Sequence, residues 1–403
     1  MLVCGNGNGL VGKERNVPDY GVFSSAEYQR RLAALQHQMQ RMDVDALLLA
    51  TPADIFYITG FLTRFWESPA RPWFVIVPVA NDPMAVIPSI GLDLMRETWI
   101  TDIRTWESPN PDDEGVSLLS ASLCEVVPTQ GTIGLPMGEE THLRMPLIDY
   151  AALLGRIKPR AVKDATAIIR NVRMVKSEAE VSKIRYVSSI ADAAFARVPE
   201  FAGPGVRLDE VYRDFQIALL QEGADWISYL AGASASGGYA GVIAPANARA
   251  LQPGDVLMLD TGAVCGGYFC DFNRNFAIAK ASTAVRRAYD CLYGATQRAL
   301  ENVRPGLTAA ELHALIYQDL VGQGAVPCAG RFGHGLGVSL TEWPSISPTD
   351  HTILCEGMVL AIEPSVQIAP GQSMVHEENI VIRGNHAELL STRATARLPV
   401  LVV

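Results

Sequence analysis

The chain has 403 residues, a hydrophobic content of 49% and a net charge of −10. This length accommodates two domains with sizeable cores, and the negative charge argues against a nucleic-acid or anionic-membrane partner. Seven scattered cysteines without a Cys-x-x-Cys pair favour a reducing compartment over a disulfide framework or a thiolate zinc site. Residues 1–24 lack the apolar run of a signal peptide, and no run of about 18 apolar residues offers a membrane span. We therefore predict a cytoplasmic protein with no membrane span, whose residues 1–24 form a mobile N-terminal arm.

The first half of the sequence alternates helix and strand patterns. Apolar residues at helical spacing predict a helix over 25–42, and apolar runs that begin at Ala46, Trp73 and Ala85 predict buried strands. Helices that alternate with buried strands indicate an α/β layer domain. We place this domain at residues 25–165, because the alternating pattern ends there and the following stretch leads into a helix start at Ser177.

The second predicted domain covers residues 166–403 and contains two helix capping boxes. Ser177 with Glu180, and Thr308 with Glu311, have the spacing at which each side chain bonds the other residue's backbone N–H. Each pair therefore predicts the start of a helix. The elements predicted in this domain are helices over 177–197, 207–222 and 308–322 and a strand-rich run over 255–280.

Two carboxylates follow apolar strands that flank a glycine-rich turn. Asp260 ends the run Val256-Leu-Met-Leu-Asp, and Asp271 lies in Tyr268-Phe-Cys-Asp-Phe. If these strands pair as a hairpin, the alternation of side chains puts both carboxylates on one face. A buried carboxylate without a partner is costly, so we interpret both as metal ligands rather than as a turn residue and a surface acid.

Further polar residues extend this set. His334 lies between two glycines, which let the backbone approach a metal or substrate closely. Glu363 ends an apolar strand and precedes a proline, where a simple strand-end cap is the alternative. Glu377 and Glu378 precede another apolar run, and one residue of register decides which of them faces the site. One imidazole with four carboxylates suits Mn²⁺, Co²⁺, Fe²⁺ or Zn²⁺, and two such ions about 3.5–4 Å apart support hydrolysis.

In this order, the five motifs resemble the superfamily of methionine aminopeptidase, aminopeptidase P, prolidase and creatinase, which has the pita-bread fold. The resemblance starts near residue 25, because the Ala-Leu-Leu-Leu … Tyr-Ile-Thr-Gly pattern is similar to the creatinase-type N-terminal domain. It implies an α/β (α+β) chain with a creatinase-like N-terminal α/β domain, a C-terminal pita-bread catalytic domain and a homodimeric assembly. It also implies two divalent metal ions, manganese first among them, held by Asp260, Asp271, His334, Glu363 and Glu378.

The resemblance also assigns roles within this centre. The last glutamate of the family stands one residue before a polar residue that opens an apolar run, which selects Glu378 and leaves Glu377 as the alternative. Asp271 would bridge the two ions. Glu363 would carry the proton, and together with His334 it forms the predicted catalytic pair.

Two histidines that are expected in peptidases of this superfamily are missing. No histidine occurs between His142 and His313, where the first is expected, and Thr341 stands seven residues after His334, at the place of the second. A preorganised oxyanion donor is often worth about 3–4 kcal/mol. Other donors must therefore replace these histidines, or the reaction differs.

The predicted substrate-binding residues come from four regions, and packing or surface exposure is the alternative for each. By the resemblance, Arg64 and Trp66 belong to an aromatic loop that would reach the active site of a partner subunit. His376 lies two residues before Glu378 and so shares its strand face, but it points away if Glu377 is the ligand. The remaining candidates are Tyr239 and Thr341, with Tyr229 as a further possible donor.

The first functional hypothesis is an Xaa-Pro aminopeptidase or dipeptidase, in which a metal-bound hydroxide attacks the scissile carbonyl of a small peptide. The alternative is a small-molecule C–N hydrolase or lyase on the same fold, related to creatinase, ectoine hydrolase or dimethylsulfoniopropionate lyase and acting on a small amide. Creatinase itself lacks the metal ligands that this chain keeps. A non-enzymatic binding protein is a third reading, which the retained ligand set disfavours.

Overall fold

The computed structural model describes residues 23–68 and 71–402. Residues 1–22 of the predicted N-terminal arm lie outside this range, as do two residues of the aromatic loop that carries Arg64 and Trp66. Within the described ranges, every helix is too short or too polar to cross a membrane.

The first half of the chain folds around a mixed sheet. Its strands are β1 (Ala46–Leu49), β2 (Phe74–Pro78), β3 (Met84–Pro88), β4 (Asp102–Trp106), β5 (Thr132–Leu135) and β6 (Ala161–Asp164). They lie in the order β4-β3-β2-β1-β5-β6, and β1 is antiparallel to β2 but parallel to β5. Every residue of the central strands β1, β2 and β3 is buried, which matches their continuous apolar sequence.

Helices pack against this sheet. They are α1 (Ser25–Arg41), α2 (Pro52–Thr59), α3 (Leu92–Arg96), α4 (Val116–Val126) and α5 (Leu147–Arg156). The apolar run after β1 forms α2, because Thr51 caps its start and Gly60 ends it with a positive φ of 81°. The predicted α/β layer architecture is confirmed.

The second half begins with a row of helices. They are α6 (Thr166–Met174), α7 (Glu178–Ala196), α8 (Val198–Phe201) and α9 (Leu208–Glu222), followed later by α10 (Thr283–Asn302) and α11 (Ala309–Gly322). Both predicted capping boxes are formed, with Ser177 and Glu180 at α7 and with Thr308 and Glu311 at α11. The local sequence therefore sets where these two helices start.

The strands of the second half form three sheets. They are β7 (Trp226–Ser236), β8 (Asp255–Cys265), β9 (Tyr268–Phe269), β10 (Phe272–Ile278), β11 (Val326–Pro327), β12 (Gly333–Gly335), β13 (Glu342–Ser345), β14 (Val359–Ile362), β15 (Ser365–Ala369), β16 (Gln372–Val375), β17 (Glu378–Ile382), β18 (Ala387–Leu389) and β19 (Val400–Leu401). The sheet orders are β19-β10-β8-β7 with β9 on β8, β13-β12-β14-β17-β18, and β11-β15-β16.

Buried ionic contacts join the two halves. The guanidinium of Arg173 in α6 donates to Asp54 of the first half at 2.7 Å and to Glu342 of β13 at 2.6 Å. Arg31 of α1 is fully buried and donates to the hydroxyl of Tyr268 in β9 at 3.1 Å. Because an unpaired buried charge is costly, these contacts fix the first half against the sheets that carry the predicted ligands.

Candidate metal centre

Asp260 and Asp271 converge because β8 and β10 pair as the predicted antiparallel hairpin. Asp260 pairs with Asn273 across the two strands, and Asp271 lies two residues before Asn273 along the chain. Side chains two residues apart share a face of a sheet, so both carboxylates point the same way. The hairpin prediction is confirmed.

A second register brings three more side chains to one face. His334 in β12 lies opposite Ala361 in β14, and Ala361 lies opposite Asn379 in β17. Glu363 is two residues beyond Ala361, and Glu377 is two residues before Asn379. His334, Glu363 and Glu377 therefore share one face of this sheet.

The two faces meet at a cluster of buried ligating groups. His334 Nε2 lies 3.3 Å from Asp271 Oδ2 and 3.8 Å from Glu363 Oε1. Ligating atoms of Asp271, His334 and Glu377 all lie within 4.8 Å of one another. Asp260 lies near Glu377, since the charge of its carboxylate acts on that residue. Four carboxylates and one imidazole thus surround a single small volume.

Glu378, the last ligand that the sequence predicted, faces away from this cluster, and the geometry favours the alternative, Glu377. Glu378 pairs with Ile362 in the register and lies on the opposite strand face. Its carboxylate accepts from Arg274 at 3.0 Å and from Arg393 at 2.9 Å. Ser391 Oγ and the Ala394 N–H also donate to it, at 2.7 and 2.8 Å. A carboxylate whose oxygens are already occupied by four donors is a poor metal ligand.

The electrostatics of the two neighbouring glutamates are opposite. Burial raises the pKa of Glu377 well above its ordinary value, and the charges of Asp271, Asp260 and Glu363 raise it further. Burial also raises the pKa of Glu378, but the charge of Arg274 leads a set of groups that bring it below its ordinary value. One glutamate therefore lacks a counter-charge, and its neighbour is fully compensated.

Burial also shifts the pKa values of other residues in the cluster. Burial raises the pKa of Asp271 to about 8. Burial, followed by the charges of Asp271 and Glu363, raises the pKa of Asp260 well above its ordinary range. Burial lowers the pKa of His334, which keeps its ring neutral and able to ligate. Carboxylates this close cannot all ionise unless cations sit among them.

These residues fit a pair of divalent ions. The Oδ1 atom of Asp260 is shielded from solvent and has no hydrogen-bond partner in the described part of the chain. A buried oxygen without a hydrogen-bond partner indicates that a ligand binds here, because native structures rarely leave such an atom unsatisfied. The donor set of oxygens with one imidazole nitrogen suits hard or borderline divalent metals.

Two polar residues, Asn379 and Arg274, hold the ligands in place. The Asn379 side chain accepts from the backbone N–H of Asp271 at 2.9 Å and donates back to its carbonyl, which ties β17 to the hairpin. Arg274 pairs with the Glu378 carboxylate at 3.0 Å and donates to the Glu377 carbonyl at 2.8 Å. Asn379 was visible in the sequence only as the polar residue that opens an apolar strand.

Two predicted substrate-binding residues are committed elsewhere, and we withdraw both. His376 is buried on the Glu378 face, where its Nδ1 lies 3.3 Å from Thr296 Oγ1, and burial lowers its pKa to about 3. Tyr239 is buried, accepts from the Val375 N–H at 2.8 Å and donates to Asn275 at 2.9 Å. Both side chains are parts of the packing that supports the centre.

The other candidates described here are Thr341, Tyr229 and Arg64. Thr341 is half-buried in the segment before β13. The hydroxyl of half-buried Tyr229 donates to the Val242 carbonyl at 3.4 Å and lies near Asp260, and burial together with the Asp260 charge raises its pKa. Arg64 is exposed, pairs with Glu67 and lies 4.8 Å from the Trp226 ring. Of these residues, Tyr229 is the one with a contact to a predicted ligand.

Trp66 packs within its own loop rather than toward the predicted ligands. Its ring lies 6.2 Å from Phe61 and 5.6 Å from Trp73, and the Arg144 guanidinium lies 5.1 Å from it. Arg144 also donates to backbone carbonyls of the same loop, including Ser68 at 2.5 Å. These contacts order the loop within one chain, so its approach to a partner subunit stays a prediction.

Family models match both halves of the chain. The model of metallopeptidase family M24 matches residues 182–383, just over half of the chain. The model of the creatinase/prolidase N-terminal domain matches residues 31–175. The first match contains all five residues of the candidate centre.

Similar proteins and structures span nearly the whole chain. The probable dipeptidase PepE of Mycobacterium tuberculosis is 29% identical over 371 residues, covering 89% of this chain and 93% of that protein. The Xaa-Pro dipeptidase of Pyrococcus furiosus is 25% identical over 367 residues, with coverage of 90% and 98%. The crystal structure of dipeptidase PepE from Mycobacterium ulcerans matches with a TM-score of 0.82 at 27% identity, covering 95% of this chain and all of that one. The chain therefore belongs to metallopeptidase family M24, and it is a metal-dependent hydrolase of the peptidase type, as the resemblance predicted.

Proposed function

We propose that this protein is an Xaa-Pro dipeptidase that works with two divalent metal ions. The observation that carries the proposal is the buried convergence of four carboxylates and one imidazole, whose charges call for cations. Further support comes from the dipeptidases that match this chain over most of their length. Manganese as the metal, a homodimeric assembly and a cytoplasmic location stay predictions of the sequence.

The proposed ligand set is Asp260, Asp271, His334, Glu363 and Glu377. Metal ions held there would supply the Lewis acidity that polarises a scissile carbonyl and activates water. Asp260 and His334 lie within strands, and the other three ligands each lie one residue beyond the end of a strand, so the sheets fix their positions. The sequence places the whole set within the part of the chain that matches family M24.

Glu363 is the proposed proton carrier. Its side chain is 25% exposed, whereas that of Asp271 is 7% exposed, so it lies closer to entering substrate and water. Burial raises the pKa of Glu363 above its ordinary value, and the nearby Asp271 charge adds to this effect. A carboxyl whose pKa is raised toward neutrality can accept and return a proton during one turnover.

Tyr229 is the proposed replacement for a missing histidine. Its hydroxyl lies near Asp260 and stays protonated, because burial and the Asp260 charge raise its pKa. A neutral hydroxyl beside the centre can donate a hydrogen bond to the oxygen on which negative charge develops. Thr341 stands at the sequence position of the second histidine and keeps the proposed role of a substrate contact.

The test is turnover of defined peptides by metal-loaded protein. Purified protein is reconstituted with Mn²⁺ and incubated with Xaa-Pro dipeptides, Xaa-Pro tripeptides and dipeptides without proline, and release of the N-terminal residue is followed by mass spectrometry. We expect cleavage of Xaa-Pro dipeptides that disappears in the Glu363→Ala variant. Absence of cleavage by protein with bound metal would refute the proposal and favour the alternative C–N hydrolase or lyase, which small amides in the same assay would reveal.

A further inference from the structure

A cavity of about 360 Å³ lies between the first half of the chain and the sheet that carries Asp260. Its lining includes Pro52, Ala53 and Glu140 from the first half and Phe269, Val338 and Leu340 from the second. Leu340 packs on Gly262, where an added Cβ would lie 2.4 Å from its Cδ1, and Gly262 is two residues beyond Asp260 on β8. Phe269 is two residues before Asp271. The cavity therefore adjoins the candidate metal centre on the side of the first domain.

Glu140 is an acid of this cavity without a partner. Its side chain is exposed and makes no hydrogen bond or ion pair in the described parts of the chain. Burial lowers the pKa of His334, and the charge of Glu140 is one of the groups that oppose this effect. This acid of the first half therefore lies close enough to act on the metal centre. Arg331, a cation beside the centre, is paired with Glu363 instead, with 3.4 Å between Nε and Oε1.

The buried charged groups at this cavity balance one another. Asp54, a second acid of the lining, accepts from Arg173 at 2.7 Å, and Arg173 also pairs with Glu342 at 2.6 Å. Lys176 pairs with Glu342 at 2.9 Å. These two acids and two bases cancel, which leaves the charge of the unpaired glutamate uncompensated.

The backbone conformation of Glu140 also singles it out. Its φ is +58°, in the left-handed region that glutamate rarely adopts and that glycine adopts without strain. Residues held in such conformations cluster at binding sites and active sites, where the side chain justifies the cost. The position therefore favours a role for the carboxylate itself.

We propose that Glu140 binds the cationic side chain of a lysine or arginine at the N-terminal position of a dipeptide substrate. This inference rests on the proposed peptidase function and names its substrate class. Ala53, Phe269 and Leu340 offer apolar surface for the aliphatic stem of such a side chain, while its charged end meets the carboxylate. Because proline carries no charged side chain, the variable residue of an Xaa-Pro dipeptide is the one that this acid can select.

Glu140→Gln, Glu140→Lys and the control Glu139→Gln test this assignment. Glu139 is the adjacent exposed acid, and of the two it is the one absent from the lining of this cavity. Steady-state kinetics on metal-loaded protein at pH 8 compare Lys-Pro with norleucine-Pro, which has the same carbon chain without the ammonium group. For Glu140→Gln we expect kcat/KM for Lys-Pro to fall about 3- to 5-fold, the loss expected for a partly exposed ion pair. Norleucine-Pro and the control variant should change little, and Glu140→Lys should favour Glu-Pro over Lys-Pro.

Equal losses on Lys-Pro and norleucine-Pro would overturn the assignment, because they would mean that Glu140 acts on the metal centre rather than on the substrate side chain. Unchanged kinetics for Lys-Pro, or the same loss in Glu139→Gln, would also overturn it.

Calorimetric titration of the same metal-loaded proteins with lysine and with norleucine separates this inference from the proposed function. If no peptide is cleaved, the peptidase proposal fails and the titration decides alone. Tighter binding of lysine that Glu140→Gln abolishes would support a site for a cationic side chain. Equal binding of lysine and norleucine would refute it.

Discussion

Glutamine substitutions at Glu377 and Glu378 test the register of the metal centre with one matched pair. The two residues are adjacent, both are buried, and both lose the same charge in the variants. Glu377 faces the other acids of the cluster, whereas Glu378 faces Arg274 and Arg393. We therefore expect opposite phenotypes from chemically identical changes.

Glu378→Gln should destabilise the fold. The carboxylate accepts four hydrogen bonds, two of them from arginines at 3.0 and 2.9 Å. Removing its charge leaves two partly buried guanidiniums without their counter-ion. Breaking a buried ion pair in this way costs about 3–5 kcal/mol of the free energy of unfolding. The fraction of Glu378→Gln protein that remains folded should still bind metal.

Glu377→Gln should spare the fold and damage metal binding. The pKa of Glu377 is raised, so in metal-free protein its ionisation costs stability as the pH rises above the unfolded value of 4.5. Glutamine cannot ionise, which removes this cost. Metal-free Glu377→Gln should therefore be at least as stable as the metal-free wild type near pH 8, while losing tightly bound metal and peptide cleavage.

Urea unfolding in the presence of chelator and metal content after dialysis measure the two effects separately. Both variants are compared with the wild type in the same buffer. Loss of metal by Glu378→Gln with retention by Glu377→Gln would refute the register argument and restore the ligand that the sequence alone predicted. Destabilisation of both variants by similar amounts would refute the claim that Glu377 lacks a counter-charge.

Three further outcomes follow from the same structure. Adding Mn²⁺ to metal-free protein should raise its melting temperature more at about pH 8.5 than at about pH 6, because the ligands must lose protons and burial holds the pKa of Asp271 near 8; equal shifts in differential scanning fluorimetry would contradict this. Burial raises the pKa of Glu342, but Arg173 and Lys176 lower it to about 2, so it contributes stability that is present above its unfolded value of 4.5 and lost as the pH falls toward 2. Between pH 4.5 and pH 2, the free energy of unfolding measured in urea should fall less in Glu342→Gln than in the wild type, with a difference of about 3 kcal/mol at most. The same pH dependence in both proteins would count against the buried contacts of Glu342 with Arg173 and Lys176. Tyr229→Phe should keep its metal and lose about 10²-fold in kcat, as expected for an oxyanion donor; an unchanged kcat in peptide assays would reduce Tyr229 to a packing role.

The sequence predicts much of this fold because the controlling signals are local. The capping boxes at Ser177 and Thr308 start α7 and α11 at the predicted residues. Apolar strands around a glycine-rich turn were enough to pair β8 with β10 and to put Asp260 and Asp271 on one face. In each case, the decisive residues lie within a short stretch of chain.

The errors arise where distant strands decide the outcome. Glu377 and Glu378 are equivalent in their local sequence, and the pairing of β17 with β14 selects between them. The same pairing turns His376 toward the Glu378 face and away from the cluster. Arg331 stands three residues before His334, but its proximity to Glu363 depends on how β12 and β14 pair.

Anomalous X-ray diffraction from crystals of the manganese-loaded protein tests the dinuclear centre most directly. We expect two manganese peaks about 3.5–4 Å apart, among Asp260, Asp271, His334, Glu363 and Glu377, with Glu378 still bound to its two arginines. A single peak, or peaks coordinated by residues outside this set, would contradict the proposed centre.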